Sequence, residues 1–210
     1  MIKVQYLGVF GCVVALIACV SDLILLYTPN AQYEVLNYTY FLAIEQWRIP
    51  IAHFLGVTSI PLELVGMLLV YAALKPAGSK WVLPIMGVTV YLVIIGTAYH
   101  AMLSQMAGYM HSCNEAPLLL KQTIDPMTSI LYLTFALLSI GLFYVIRYKT
   151  THYPKYFAWV NPLLIHIVLA LIYWLEPVYG GALLVTGLNL SVFILLFAST
   201  LVLWDKDLTL

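Results

Sequence analysis

Six long stretches that are almost free of charge dominate the chain, at roughly 4–27, 47–74, 81–103, 126–146, 156–175 and 178–204. A helix needs about 20 apolar residues to cross the hydrocarbon core of a bilayer, and each stretch has that length. Hydrocarbon offers backbone N–H and C=O groups no partner, so a spanning segment must satisfy them internally. The expected fold is therefore all-α: a polytopic bundle of six transmembrane helices forming a single integral membrane domain over 1–210. Composition agrees, with 63% apolar and 9% charged residues, where a soluble domain carries about 25% charged. Zero net charge and the lack of a basic run argue against a nucleic-acid partner. Cys12 and Cys19 lie in the first apolar stretch and Cys113 stands alone in a connection, a spacing that fits no disulfide framework or metal motif.

Leu16-Ile17-Ala18-Cys19 resembles a lipoprotein cleavage site behind a signal peptide. Apolar sequence resumes through Leu23 to Tyr27, which favours a first membrane helix instead. Prolines 29, 50, 76, 126, 154 and 177 fall near the stretch ends, where helices are expected to start or stop. Pro61 and Pro84 fall inside stretches and predict kinks.

Orientation follows from the cations, since cytoplasmic connections are enriched in Lys and Arg. With the N-terminus inside, Lys3, Lys75, Lys80, Arg147, Lys149, Lys155 and Lys206 are cytoplasmic, against Arg48 and Lys121 outside. Both termini are thus expected on the cytoplasmic side. Glu34, Glu45, Glu115, Asp125 and Glu176 fall toward the outer side. The two long outer connections, 28–46 and 104–125, are apolar enough to lie on or dip into the membrane.

An ionisable residue within a membrane helix is costly and marks a candidate functional site. Asp22, His53, Glu63 and His100 qualify. At 1.5 Å of rise per residue, Asp22 lies about 7 Å below the outer end of its helix, and His53 and His100 share that level. Glu63 lies roughly 15 Å deeper than His53 and about 80° around the same helix. The two can border one cavity, with direct contact not expected. Gly56 and Gly66 on that broad face leave room for a ligand or a neighbouring helix. A carboxyl group in hydrocarbon favours its neutral, proton-bearing form, as proton donation to an apolar substrate requires. Asn161, His166 and Asn189 are further candidates to complete a pocket, and Tyr27, Tyr99 and Tyr109 could line it. Against these readings stand interhelical hydrogen bonding, worth about 0.6 kcal/mol on average, and an interfacial aromatic belt for the tyrosines.

Three segments carry a resemblance: Val20-Ser21-Asp22-Leu23-Ile24-Leu25-Leu26-Tyr27, the stretch from Tyr153 to Asn161-Pro162, and Gly187-Leu188-Asn189 running on to Ser199. Together they resemble an uncharacterised bacterial family of six-helix membrane proteins, a domain of unknown function. In that pattern a Gly is expected where this chain has Ser21. The resemblance implies a bacterial membrane location and interest in Asp22, and it implies no reaction.

Four functions fit the residues. The first is an enzyme, an isomerase or cyclase, acting on a lipid or isoprenoid by acid–base chemistry in an outward-opening pocket. Glu63 would donate the proton, with Asp22, His53 and His100 as base or orienting groups. The second is a metal-dependent hydrolase with His53, His100 and Asp22 around zinc. The third is a small transporter or binding protein, and the fourth a haem protein with His53 and His100 as axial ligands. Membrane lipids and a lipophilic small molecule are the expected partners.

Overall fold

The computed structural model describes residues 3–28, 38–113, 117–208 and 210. Seven α-helices account for most of them: α1 (Val4–Leu26), α2 (Arg48–Leu74), α3 (Ser79–Cys113), α4 (Leu118–Tyr148), α5 (Pro162–Leu175), α6 (Pro177–Val185) and α7 (Gly187–Val202). Short 3-10 helices occupy Tyr38–Ala43, Lys75–Ala77 and Lys155–Trp159. There is no strand among the described residues. The first four α-helices are each long and apolar enough to cross a membrane, and α5 and α7 are shorter apolar helices. Large apolar side chains face outward along them, Phe54, Ile94 and Leu133 among them, as suits a protein embedded in lipid.

Helix boundaries depart from the hydropathy boundaries in an instructive way. α3 runs ten residues past Leu103, so most of the expected outer connection 104–125 is helix. α4 begins at Leu118 and carries Pro126 inside it rather than at its start. Proline removes one ladder hydrogen bond, but Ile124 and Leu131 on either side are fully or almost fully buried and hold the helix in line. The fifth helix starts at Pro162, behind a 3-10 turn, and has only 14 residues. The expected sixth helix is bent at Thr186, which separates α6 from α7. Pro29, Glu34, Glu115 and Ala116 lie outside the described residues.

α1 packs between α2 and α7, α2 also meets α3, and α3 meets α4, while α5 leans on α6 and α7. The α1–α2 contact is close because small residues meet there: a Cβ on Gly11 would lie 2.4 Å from the Gly66 Cα. α3 and α4 hardly touch α7, and the space left between them becomes important below.

One end of the bundle gathers both termini. Gln5 Nε2 donates to the carbonyls of Leu203 and Lys206 at 3.0 and 2.6 Å. The α2–α3 turn, closed by Gly78 at φ 92°, lies at the same end. So does the 149–161 segment, where His152 N–H donates to the Ala73 carbonyl and the Tyr153 hydroxyl donates to Ser199 Oγ. Lys149 Nζ sits 4.5 Å from the Trp81 ring centre there. At the opposite end the 3-10 helix Tyr38–Ala43 forms a cap. Its Phe41, with Ile44 just beyond it, is buried against Leu25, Leu103, Met106 and Ile124. Tyr38 donates to Asp125 Oδ1 at 2.7 Å and ties the cap to α4. Arg48 Nη2 donates to the carbonyls of Leu23 and Tyr27, both at 2.8 Å, adding a second bond at Leu23, which already accepts from Tyr27 N–H, and tying α2 to the end of α1.

Candidate functional site

The face that α2 turns inward is set by its periodicity. Ala52, Gly56, Ser59, Glu63, Gly66 and Val70 recur at helical spacing and are all buried. Small side chains at the outer part of this stripe let α1 and α3 come close, and a polar network forms where they meet.

Asp22 of α1 uses both carboxyl oxygens. Oδ1 lies 3.1 Å from His100 Nδ1 on α3, and Oδ2 accepts from Asn189 Nδ2 on α7 at 2.7 Å. Across the imidazole, Nε2 lies 3.1 Å from both Ser21 Oγ and the Ala52 carbonyl oxygen. Ser21 donates to that same carbonyl at 2.7 Å. The ring rests on Gly56, where a Cβ would stand 2.1 Å from Nε2. Four helices thus converge on one buried aspartate–histidine pair.

The proton positions follow from which atoms can only accept. The Ala52 carbonyl accepts, so Nε2 facing it carries a hydrogen when that bond forms. Nδ1 then either donates to the Asp22 carboxylate, as imidazolium, or accepts a proton from the Asp22 acid. In both states the pair shares one proton and is neutral overall, the arrangement that hydrocarbon tolerates best. Ser21 can also turn its hydroxyl toward Nε2, which lets the ring lose that hydrogen.

Beside this network lies a cavity bounded by α3 and α4 on one side and α1, α2 and α7 on the other. Its volume is about 100 Å³, below the roughly 150 Å³ of an apolar cavity that holds one benzene, so it takes a few heavy atoms and a longer chain must extend into the gap between α3, α4 and α7. Its lining on α3 runs from Thr89 to Leu103, a rise of roughly 21 Å. It is therefore a slot along the bundle. The walls are mostly Leu, Val and Ile, with Phe135 and Tyr99 as aromatic elements. Leu26, Leu103 and Tyr99 at the outer part of the slot also pack against the 3-10 cap, so the outer end is covered rather than open.

Glu63 lines the same slot, eleven residues and roughly 16 Å further along α2 than Ala52. It is 3% exposed, and its Oε1 has no hydrogen-bond partner. Side chains lean toward the N-terminus of their helix, and α1 and α2 run in opposite directions. Asp22 therefore leans inward and Glu63 outward, toward each other along the slot.

The remaining candidates fall in different places. His53 is half-buried, one residue round from Ala52, and lies outside both the network and the slot lining. Asn161 caps α5, with Oδ1 accepting from Leu163 N–H and Nδ2 donating to the Ser139 carbonyl. His166 packs against the rings of Tyr132 and Phe135 and against Gly187, where a Cβ would lie 2.6 Å from its Nδ1. Tyr99 lines the slot, Tyr109 is exposed, and the Tyr27 backbone receives Arg48. Ser21 and the Ala52 carbonyl were not foreseen; the adjacency of Ser21 to Asp22 and the small-residue stripe were the available signals. Both His100 nitrogens face protein partners, and His53 belongs to neither the network nor the slot lining. As they stand, the residues therefore do not form a His53–His100–Asp22 zinc site, and His100 offers no free nitrogen as a haem ligand. Among the described residues no three His, Cys, Asp or Glu side chains group to hold a metal.

No curated protein and no solved structure matches the chain. A family model does match, over residues 1–206, and covers every residue of the network and the slot. The chain belongs to DUF6796, a family of unknown function.

Proposed function

We propose that the chain is a membrane enzyme that acts on a lipophilic substrate by acid–base chemistry in the slot, rearranging or cyclising it. The observation that carries this reading is Glu63: a carboxyl group 3% exposed, with one oxygen unpartnered, on the wall of an apolar cavity. A buried acid without a partner is unfavourable for folding alone, and perturbed acids in clefts are functional candidates. Glu63 donates its proton to the substrate, and the Asp22–His100 pair takes one up in the state where Ser21 faces an Nε2 that has lost its hydrogen; passing that proton back to Glu63 closes the cycle, so no net proton is consumed. The faces of Tyr99 and Phe135 favour positive charge that develops between the two steps.

In this reading the chain crosses the membrane six times, with α6 and α7 as one bent crossing and both termini in the cytoplasm of a bacterium. Supporting it, Lys75, Lys80, Lys149, Lys155 and Lys206 gather at the end that holds the termini, as expected of a cytoplasmic face. A substrate dissolved in the bilayer enters sideways, where α4 and α7 hardly touch.

The test compares lipid extracts from membranes carrying the wild type, Glu63→Gln, or neither, by chromatography with untargeted mass spectrometry. The expected result is a lipophile that shifts retention without changing mass, in the wild type only. Product formation by Glu63→Gln at the wild-type level, or a wild-type extract identical to the control, overturns the reading.

A further inference from the structure

The slot's charge and hydrogen-bonding inventory restricts what can occupy it. Among the described residues its polar lining is Asp22, Glu63, Thr89, Tyr99, His100 and Asn189, with no Lys or Arg. Thr89 returns its hydroxyl to the Ile85 carbonyl of its own helix. Asp22 has both oxygens engaged and His100 both nitrogens. Glu63 Oε1 is the buried acceptor or donor on the lining that still lacks a partner.

We infer that the slot binds a lipophile whose polar end is an uncharged oxygen, a hydroxyl or a carbonyl, placed against Glu63. This rests on the reading of the slot as a substrate site and names the class of substrate. A phosphate or carboxylate head would sit roughly 22 Å along α2 from Arg48, in hydrocarbon, beside two carboxyl groups and no cation. An anion so placed would be an unpaired charge without water, costly to bury even beside a proton-bearing Glu63 and a pair that is neutral overall. An uncharged oxygen accepts the Glu63 proton in a hydrogen bond and brings no charge with it. Its apolar chain then follows the Leu, Val and Ile walls along the α3–α7 gap. None of the cations at the terminal end lines the slot, and two of them are held elsewhere, Lys149 over Trp81 and Tyr144 and Lys155 on the carbonyls that end α4.

Binding of farnesol and of farnesyl phosphate to the purified full chain in neutral detergent separates the possibilities, since the two share a chain and differ in the head. Native mass spectrometry and thermal shift read binding without any turnover. Farnesol is expected to bind saturably, and farnesyl phosphate at least tenfold more weakly. Glu63→Gln, whose amide still pairs with a hydroxyl, should retain farnesol within a few-fold, whereas Glu63→Leu should lose at least tenfold. A melting transition for each variant confirms that it is folded. Equal or tighter binding of farnesyl phosphate, no saturable binding of farnesol, or wild-type affinity in a folded Glu63→Leu overturns the proposal. Farnesol binding with no altered lipid in the membrane extracts would instead overturn the acid–base reading and leave this one standing.

Discussion

Gly56 shows how tightly the network is specified at single positions. His100 can reach Asp22, Ser21 and the Ala52 carbonyl together because position 56 has no side chain; a Cβ there would fall 2.1 Å from Nε2. Gly56→Ala must push the ring away or separate α2 from α3. Overpacking of this kind typically costs about 1–3 kcal/mol, and here it also breaks the His100–Asp22 contact. The expected outcome is a clearly lower melting temperature in detergent together with loss of any activity assigned to the pair. Ser21→Ala, which removes the bond to the Ala52 carbonyl and the contact with Nε2 while Ala52 keeps its ring contact, should cost about 0.5–1.5 kcal/mol for each bond lost. A Gly56→Ala protein as stable as the wild type would mean the ring is not held where it is drawn. Asp22, Glu63 and His100 were legible in the sequence because a charge in hydrocarbon needs a reason. His53 shared the depth of Asp22 and His100, but depth says nothing of direction around the helix. The stripe Ala52, Gly56, Ser59, Glu63 fixes that direction, and His53 lies about 100° off it.

At the level of elements, hydropathy located the helices and mislaid their ends, for a physical reason. It reports where hydrocarbon stops, whereas a helix continues into water for as long as its backbone bonds and packing hold it. α3 thus carries on to Cys113, and α4 starts at Leu118 where the apolar stretch suggested Pro126. The bend at Thr186 is invisible to hydropathy because Gly187 and its neighbours are as apolar as the helix around them. The end of α1 is held differently. It has no basic residue in its last turn, and Arg48 of α2 donates to the Tyr27 carbonyl and adds a second bond to the Leu23 carbonyl beside that from Tyr27 N–H. One of the two cations assigned to the outer side is therefore a cap for another helix. Removing it by Arg48→Met should free the last turn of α1, at a cost of about 1–3 kcal/mol for charged hydrogen bonds that are only partly buried. Hydrogen exchange should quicken at the amides around Leu23–Leu26 while those near Gly11 keep their protection. Unchanged exchange at both sites would show that water caps the helix equally well.

For the whole molecule, the separation of charge along the bundle and the slot at its centre have one origin. Gln5 ties the two termini together, and the basic turns share their end, while the 3-10 cap and the acidic Asp125 occupy the other. If the basic end faces the cytoplasm, the network of Asp22 and His100 lies toward the outer leaflet and Glu63 near the middle of the bilayer. The native cysteines test this without engineering a reporter. Cys113 is exposed at the end of α3 that carries the cap, whereas Cys19 is buried and Cys12 is half-buried in the middle of α1. A membrane-impermeant maleimide added to intact spheroplasts should therefore modify the protein once, at Cys113, and Cys113→Ser should abolish the modification. A protein that stays unmodified until the membrane is opened, and is then labelled at Cys113, would have the reverse orientation. In that case the Asp22–His100 network would lie toward the inner leaflet, and the 3-10 cap beside it would face the cytoplasm.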